Sequence, residues 1–263
     1  MDLGIRNRVA VVAASSRGLG RAVAEALAAE GASLALCARN ENTLAATADQ
    51  IQQRWGVPVF HRATDLTDAE AVKSFVGATV DRFGAVHIGV ANAGGPPSTS
   101  FAETKLDEWR MAFELNFMST VHLVRELLPR MQRQKWGRIV TITSVTVKQP
   151  VDGLILSNAV RAGVAGLVKS LANEYARDNI LINNVCPGYT ATDRLTDLAA
   201  TLAAAQGVSP DEIVARWQQH IPLGRLGRPE EFAAVVAFLC SEKAGYVTGT
   251  STAIDGGLVK GIV

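Results

Sequence analysis

The sequence predicts a single α/β domain built on a doubly wound parallel sheet. Three observations predict it. Short β-branched and apolar runs alternate along the chain with longer Ala- and Leu-rich stretches. Those short runs are apolar throughout, not at every second residue, which is the pattern of strands covered on both faces. A Gly-x-Gly pair, Gly18 and Gly20, follows the first run and opens the first helical stretch.

The elements read in order as follows. Residues 9–13 form a buried strand and 19–30 a helix closed by Gly31. A strand over 33–38 leads to a helix over 41–54, and a strand over 57–61 to a helix over 68–83 closed by Gly84. The fourth strand is 86–91, followed by helical residues 106–133, in one or two pieces. Strand 138–144, helix 157–177 and strand 180–186 come next. Helix 229–240, with Pro229 in its first turn, precedes a last strand over 250–254. Right-handed crossovers between such strands give the doubly wound Rossmann architecture. Residues 188–228 contain no strand. They predict an excursion with short helices of its own, either a lid over a pocket (a lid-like insertion near 189–228) or a surface hairpin.

The 263 residues suit one large domain, so the whole span 1–263 is read as a single nucleotide-binding domain. A hydrophobic share of 48% with 19% charged residues argues against disorder. The formal net charge of +1 offers no electrostatic footprint for nucleic acid or an anionic membrane. No apolar run approaches a membrane span, and the N-terminus lacks a signal-peptide pattern. Cys37, Cys186 and Cys240 are far apart in apolar segments and read as buried free thiols, which points to the cytoplasm. His61, His87, His122 and His220 lack ligand spacing, so no metal site is expected.

A dinucleotide diphosphate needs backbone amides at a helix N-terminus and glycines where a Cβ would block its approach. Ala14-Ser15-Ser16-Arg17-Gly18-Leu19-Gly20 offers both, between strand and helix. At the end of the second strand an acidic side chain would bind the adenosine ribose and repel a 2′-phosphate. Arg39 stands there instead, and with Arg17 it can clamp that phosphate, so NADP(H) is the expected cofactor; two solvated surface arginines are the alternative.

From Arg8 to Gly257 the motifs resemble, in order, those of the short-chain dehydrogenase/reductase family, including its 3-oxoacyl-carrier-protein reductases. They include the glycine loop, Asn92-Ala93-Gly94, Pro187-Gly188, the 224–231 run and the Asp-Gly-Gly ending. The family's loop begins Thr-Gly, where this chain has Ala13-Ala14. The resemblance implies that Asp65 and Leu66 contact adenine, and that Asn92 mainly ties the sheet while Ala93 and Gly94 lie along the cofactor. It implies that Pro187, Gly188, Thr190 and Thr192 hold the nicotinamide carboxamide and phosphates. Ser144 matches the carbonyl-polarising serine, and Asn116 matches the asparagine that anchors a water relay. The family's proton donor and its partner form Tyr-x-x-x-Lys. Here that motif is Ser157-x-x-x-Arg161. A phenol has a pKa of about 10 and a nearby cation can lower it, whereas a serine hydroxyl is a poor acid. Arginine stays protonated and cannot relay protons, though it can donate to ribose hydroxyls or a substrate carboxylate.

Two readings follow. One is an oxidoreductase with an altered acid, acting on a small carbonyl or alcohol, with Lys148 or Asp152 as a substitute donor. The other is a non-catalytic binding protein, a regulator or an inactive subunit. The resemblance also implies a homo-oligomer, a tetramer, packed through helices 106–133 and 157–177.

Overall fold

The computed structural model describes residues 1–262; Val263, the last residue of the expected domain, lies outside them. Seven parallel strands form one sheet in the order β3-β2-β1-β4-β5-β6-β7. They are β1 (Val9–Ala13), β2 (Ser33–Ala38), β3 (Val59–Ala63), β4 (Ile88–Ala91), β5 (Gly137–Ile142), β6 (Ile180–Pro187) and β7 (Ser251–Ile254). Strand order reverses between β1 and β4, so a crevice opens at the carboxyl ends of those strands. Helices α1 (Gly18–Ala29), α2 (Glu41–Trp55) and α9 (Pro229–Leu239), with α3 (Ala69–Phe83), α5 (Ser119–Gln134) and α6 (Ile155–Tyr175), cover the sheet. One apolar layer gathers Val12, Leu27, Leu36, Phe232 and Val236; the other gathers Val11, Phe75, Leu127, Ile139 and Val164. Full burial of each large side chain contributes roughly 1.5–3 kcal/mol. Among the described residues no helix is long and apolar enough to cross a membrane.

Several boundaries differ from expectation. β3 starts at Val59, two residues late, because Pro58 has no N–H for the ladder; its carbonyl accepts the Leu34 amide at 2.9 Å. β4 starts at Ile88, and just before it the His87 imidazole, not a strand carbonyl, takes the Val9 amide at 3.0 Å. The long helix is in two pieces, α4 (Leu106–Phe113) and α5, joined by a π-helical turn over Glu114–Met118. α6 begins at Ile155, so Ser157 sits in its first turn and Arg161 one turn later.

The excursion is a hairpin of α7 (Asp193–Gln206) and α8 (Pro210–His220). It has a small core of Ala199, Ala203 and Ile213, and Tyr189 stacks on Trp217 with ring centroids 4.9 Å apart. Its two ends are pinned side by side. The Gly227 amide donates to Tyr189 at 3.0 Å and its carbonyl accepts from Ala191 at 2.9 Å. The hairpin also leans over the crevice, since Thr192 lies 3.8 Å from where a Cβ on Gly18 would stand.

Candidate active site

The phosphate loop is shaped by two left-handed residues, Ala14 at φ +48° and Gly18 at φ +58°. Ala14 stands where the family places glycine, and it adopts the conformation glycine would favour. Gly20 permits the close packing of loop on helix, for a Cβ there would lie 2.2 Å from the Ala14 carbonyl oxygen. The first amides of α1 have no carbonyl within the helix, Arg17 makes no side-chain cap, and the first turn holds no acid. That is an electropositive helix end suited to a phosphate. Ser15 is fully buried, with its hydroxyl on the Cys37 carbonyl at 3.3 Å, and the Ser16 carbonyl accepts from Thr47 at 2.9 Å. These side-chain and carbonyl bonds fix the loop itself. Leu19 packs on the core.

Around this loop stand the remaining expected contacts. Arg17 and Arg39 are exposed. Asp65 accepts the Thr67 amide at 2.9 Å and hydroxyl at 2.8 Å, which holds its carboxyl below the usual range, with the Arg39 charge adding to the effect. Leu66 is buried and its carbonyl meets the His122 ring at 3.1 Å. The Asn92 side-chain nitrogen lies by α1, 3.0 Å from where a Cβ on Gly20 would stand. The Gly94 carbonyl, beyond Ala93, accepts from Asn116 at 2.7 Å. Gly188 follows Pro187 and leaves room for Asp255, whose Cα would lie 2.8 Å from a Cβ at 188. Thr190 is buried and Thr192 stands immediately before α7.

The positions expected to be catalytic converge at the end of β5. Ser144 Oγ accepts the Thr146 amide at 3.2 Å, and Thr146 Oγ1 pairs with Ser157 Oγ at 3.0 Å. Ser157 is 7% exposed, so its hydroxyl is engaged in a buried pair. Arg161 lies behind it. Its guanidinium donates to the carbonyls of Thr143 and Ile142, the latter at 3.4 Å. Burial, with the Arg194 charge second, brings its pKa down to about 10. The π-helical turn carries Asn116 to the same place. Asn116 and Arg161 line a cavity of about 10 Å³, the room of roughly one water. Asn116 Oδ1 and Arg161 Nε have no hydrogen-bond partner among the described residues. A larger hollow of about 180 Å³ lies under the hairpin neck, and of the expected site residues only Thr190 borders it.

The tyrosines stay away from this centre. Tyr189 is stacked in the hairpin and burial raises its pKa, Tyr175 packs on the core, and Tyr246 is fully exposed. Lys148 is half-buried on the turn after Ser144, and its charge is felt at Cys186 at the end of β6. Asp152 is exposed. Burial pushes the Cys37 and Cys240 thiols up to about 12. Among the described residues no group of three His, Cys, Asp or Glu could hold a metal.

Two residues were missed by sequence reasoning. Thr146 had only its Ser-x-Thr spacing from Ser144 as a signal. Arg194 had its odd position, a cation in the first turn of a helix, where the dipole disfavours it. Its guanidinium lies across Gly95, where a Cβ would stand 2.2 Å away, and donates to the Pro96 carbonyl at 3.3 Å.

Known proteins match this arrangement along nearly its whole length. The family model described as enoyl-(acyl carrier protein) reductase matches residues 13–259. A 3-oxoacyl-[acyl-carrier-protein] reductase of Aquifex aeolicus is 34% identical over 98% of this chain and 100% of its own. L-sorbose reductase from Gluconobacter frateurii, complexed with NADPH and L-sorbose, superposes with a TM-score of 0.95 at 34% identity, covering 100% of both chains. An NADPH-bound short-chain oxidoreductase from Pseudomonas aeruginosa PAO1, described as containing an atypical catalytic centre, gives 0.88 at 34% identity, covering 98% of this chain and 99% of its own. On this sheet order, this glycine loop and these matches, the chain belongs to the short-chain dehydrogenase/reductase family.

Proposed function

We propose that the protein is an NADP(H)-dependent oxidoreductase that moves a hydride between the cofactor and a carbonyl or alcohol, through a site without the usual acid. One observation carries the reading: the glycine loop leaves the first α1 amides uncapped for a diphosphate, while Ser144, on the turn after β5, accepts the Thr146 amide and so keeps its hydroxyl proton to give. The loop geometry fits a diphosphate, and Arg17 with Arg39 fits a 2′-phosphate. NADPH-bound relatives support the cofactor.

The nicotinamide supplies the hydride when bound. The chain's own part is to orient and to stabilise charge. Ser144 accepts the Thr146 amide, so its hydroxyl hydrogen is free to point at a carbonyl oxygen. Arg161, pinned to the Ile142 and Thr143 carbonyls, places a fixed positive charge behind the oxygen that becomes negative. Lys148 carries a transferable proton on the same turn as Ser144 and is the substitute donor we assign. The second reading, a non-catalytic cofactor-binding subunit, is favoured by the Ser157–Thr146 pair, which closes off the position of the missing acid.

Three buried thiols suit a reducing compartment such as the cytoplasm. Leu106, Met111 and Phe113 on α4 are exposed, and we assign helices 106–133 and 157–177 to the contacts of a homo-oligomer, a tetramer. NADPH binding and oxidation, measured together against ketones and oxoacyl thioesters, test the function. Turnover supports the enzyme, and binding without turnover supports the second reading. A stable monomer by light scattering at micromolar concentration would refute the assembly.

A further inference from the structure

We propose that Asn184 is a positioning residue of this site: through Thr143 it fixes the carbonyl on which Arg161 rests and the turn that carries Ser144. The inference rests on the oxidoreductase reading and adds to it a fully buried residue of β6.

A proline creates the need for such a residue. β5 pairs with β6 so that Ile142 stands opposite Val185, and the Thr143 amide extends that ladder to the Val185 carbonyl at 2.9 Å. In a parallel ladder the next bond reaches the Thr143 carbonyl from the residue two further along β6. That residue is Pro187, which has no N–H to give. The backbone bonds between the two strands stop there, and the Arg161 guanidinium donates to the Thr143 carbonyl instead. Its other acceptor, the Ile142 carbonyl, is at 3.4 Å. The seat of a buried cation therefore depends on one peptide just past the end of the ladder.

Side chains take over where the backbone bonds end. Ile139 packs in the layer of α5 and α6, and Val140 and Ile142 pack in the opposite one. Thr141 and Thr143 thus face the α6 side, as do Asn184 and Cys186 after Ile182. Asn184 Oδ1 accepts the hydroxyls of Thr141 and Thr143, each at 2.8 Å. Its Nδ2 donates to Ser251 Oγ on β7 at 3.1 Å and to Cys186 Sγ at 3.4 Å. Cys186 Sγ lies 3.5 Å from Thr143 Oγ1, which closes a ring of three side chains. One amide thereby ties the end of β5 to β6 and β7. Cys186 directly precedes Pro187-Gly188, the segment expected to hold the nicotinamide carboxamide. A buried polar network in which every member is bonded is rigid. An apolar side chain at 184 keeps the backbone ladder and frees the Thr143 peptide, and with it Arg161 and Ser144.

The test uses the full-length protein. Asn184→Val leaves two buried hydroxyls without this acceptor, which should lower the urea midpoint. A triple variant, Thr141→Val with Thr143→Val and Asn184→Val, replaces the partners together by apolar groups of similar shape, and its midpoint should return towards the parent's. The NADPH Kd and single-turnover NADPH oxidation with ketones are measured for each. In both variants hydride transfer should fall roughly 10–100-fold, the scale of an ångström of misplacement. NADPH should bind about tenfold more weakly, the worth of one displaced hydrogen bond. In an Arg161→Met background, Asn184→Val should change the NADPH Kd by less than about twofold, because residues that act as one unit do not add. A triple variant with parental midpoint, NADPH affinity and hydride transfer overturns the proposal, since the network then serves stability alone. An effect of Asn184→Val that persists in full in the Arg161→Met background also overturns it. A parent that binds NADPH without turnover refutes the oxidoreductase reading instead. The cycle of NADPH dissociation constants then still decides whether Asn184 acts through Arg161.

Discussion

Replacing Ser157 with Tyr and Arg161 with Lys is expected to create ordinary carbonyl reductase activity. The structure explains why both changes are needed. Ser157 Oγ is tied to Thr146 at 3.0 Å and is 7% exposed, so it neither reaches a substrate nor ionises. Arg161 is held by the carbonyls of Ile142, at the end of β5, and Thr143 just beyond it. Burial lowers its pKa to about 10, still well above neutrality, so it stays charged at pH 7. A phenol at 157 next to that fixed charge gains acidity but no path for proton replacement. A lysine at 161 brings three rotating donors beside Asn116, whose Oδ1 faces the same small cavity. General acid catalysis contributes roughly 10²–10⁴-fold, about 3–5 kcal/mol at 1.36 kcal/mol per decade. The double variant should gain up to that factor over the parent, and Ser157→Tyr alone should gain less. The assay is single-turnover NADPH oxidation with generic ketones, with the NADPH Kd measured for every variant. Adding Thr146→Ala makes room for the ring if the pocket has closed around serine. A parent that already reduces these ketones at rates typical of its relatives, with Ser157→Ala harmless, refutes the reasoning. Lys148→Met would then be the next variant, to find the donor.

Two further outcomes are expected. Arg39→Asp should cut the preference for NADPH over NADH by roughly 10–100-fold, as the loss of a charge-assisted phosphate contact predicts, read from the two dissociation constants; tighter NADH binding in the parent contradicts the clamp. Acid should loosen the neck of the hairpin through Glu231. Bonds from Arg225, then the Arg228 amide, lower its pKa from an ordinary 4.5 to about 2. A folded-state pKa below the unfolded one gives stability that is complete above 4.5 and lost as pH falls towards 2. Urea midpoints measured from pH 5 to pH 2.5 should fall more steeply for the parent than for Glu231→Gln.

Much of the architecture was legible because local rules and the fold agreed. Continuous apolar strands implied two covered faces, and Gly31, Gly56 and Gly84 lie at left-handed angles beside helix ends. Boundaries failed where a side chain or a missing N–H replaced a ladder bond, as at His87 and Pro58. Arg138, inside a strand read as apolar, is 1% exposed. It is held by the carbonyls of Gly137, Asn179 and Ser241 and stacks 4.4 Å from Trp136. No periodicity announces such partners.

The sequence by itself determined the sheet, the glycine loop, the order of the motifs and the Ser157-x-x-x-Arg161 run where the resemblance expects Tyr-x-x-x-Lys. Spacing and residue type carry these, because they depend on neighbours in the chain. Only the tertiary structure decided what the exchanged residues touch. Thr146 occupies Ser157, the carbonyls of Ile142 and Thr143 hold Arg161, and Arg194 arrives from the hairpin about a hundred residues after the turn it lies on. Those contacts join segments far apart in the chain, and their strength depends on burial. Both are set when the layers close, and neither is a property of any local stretch.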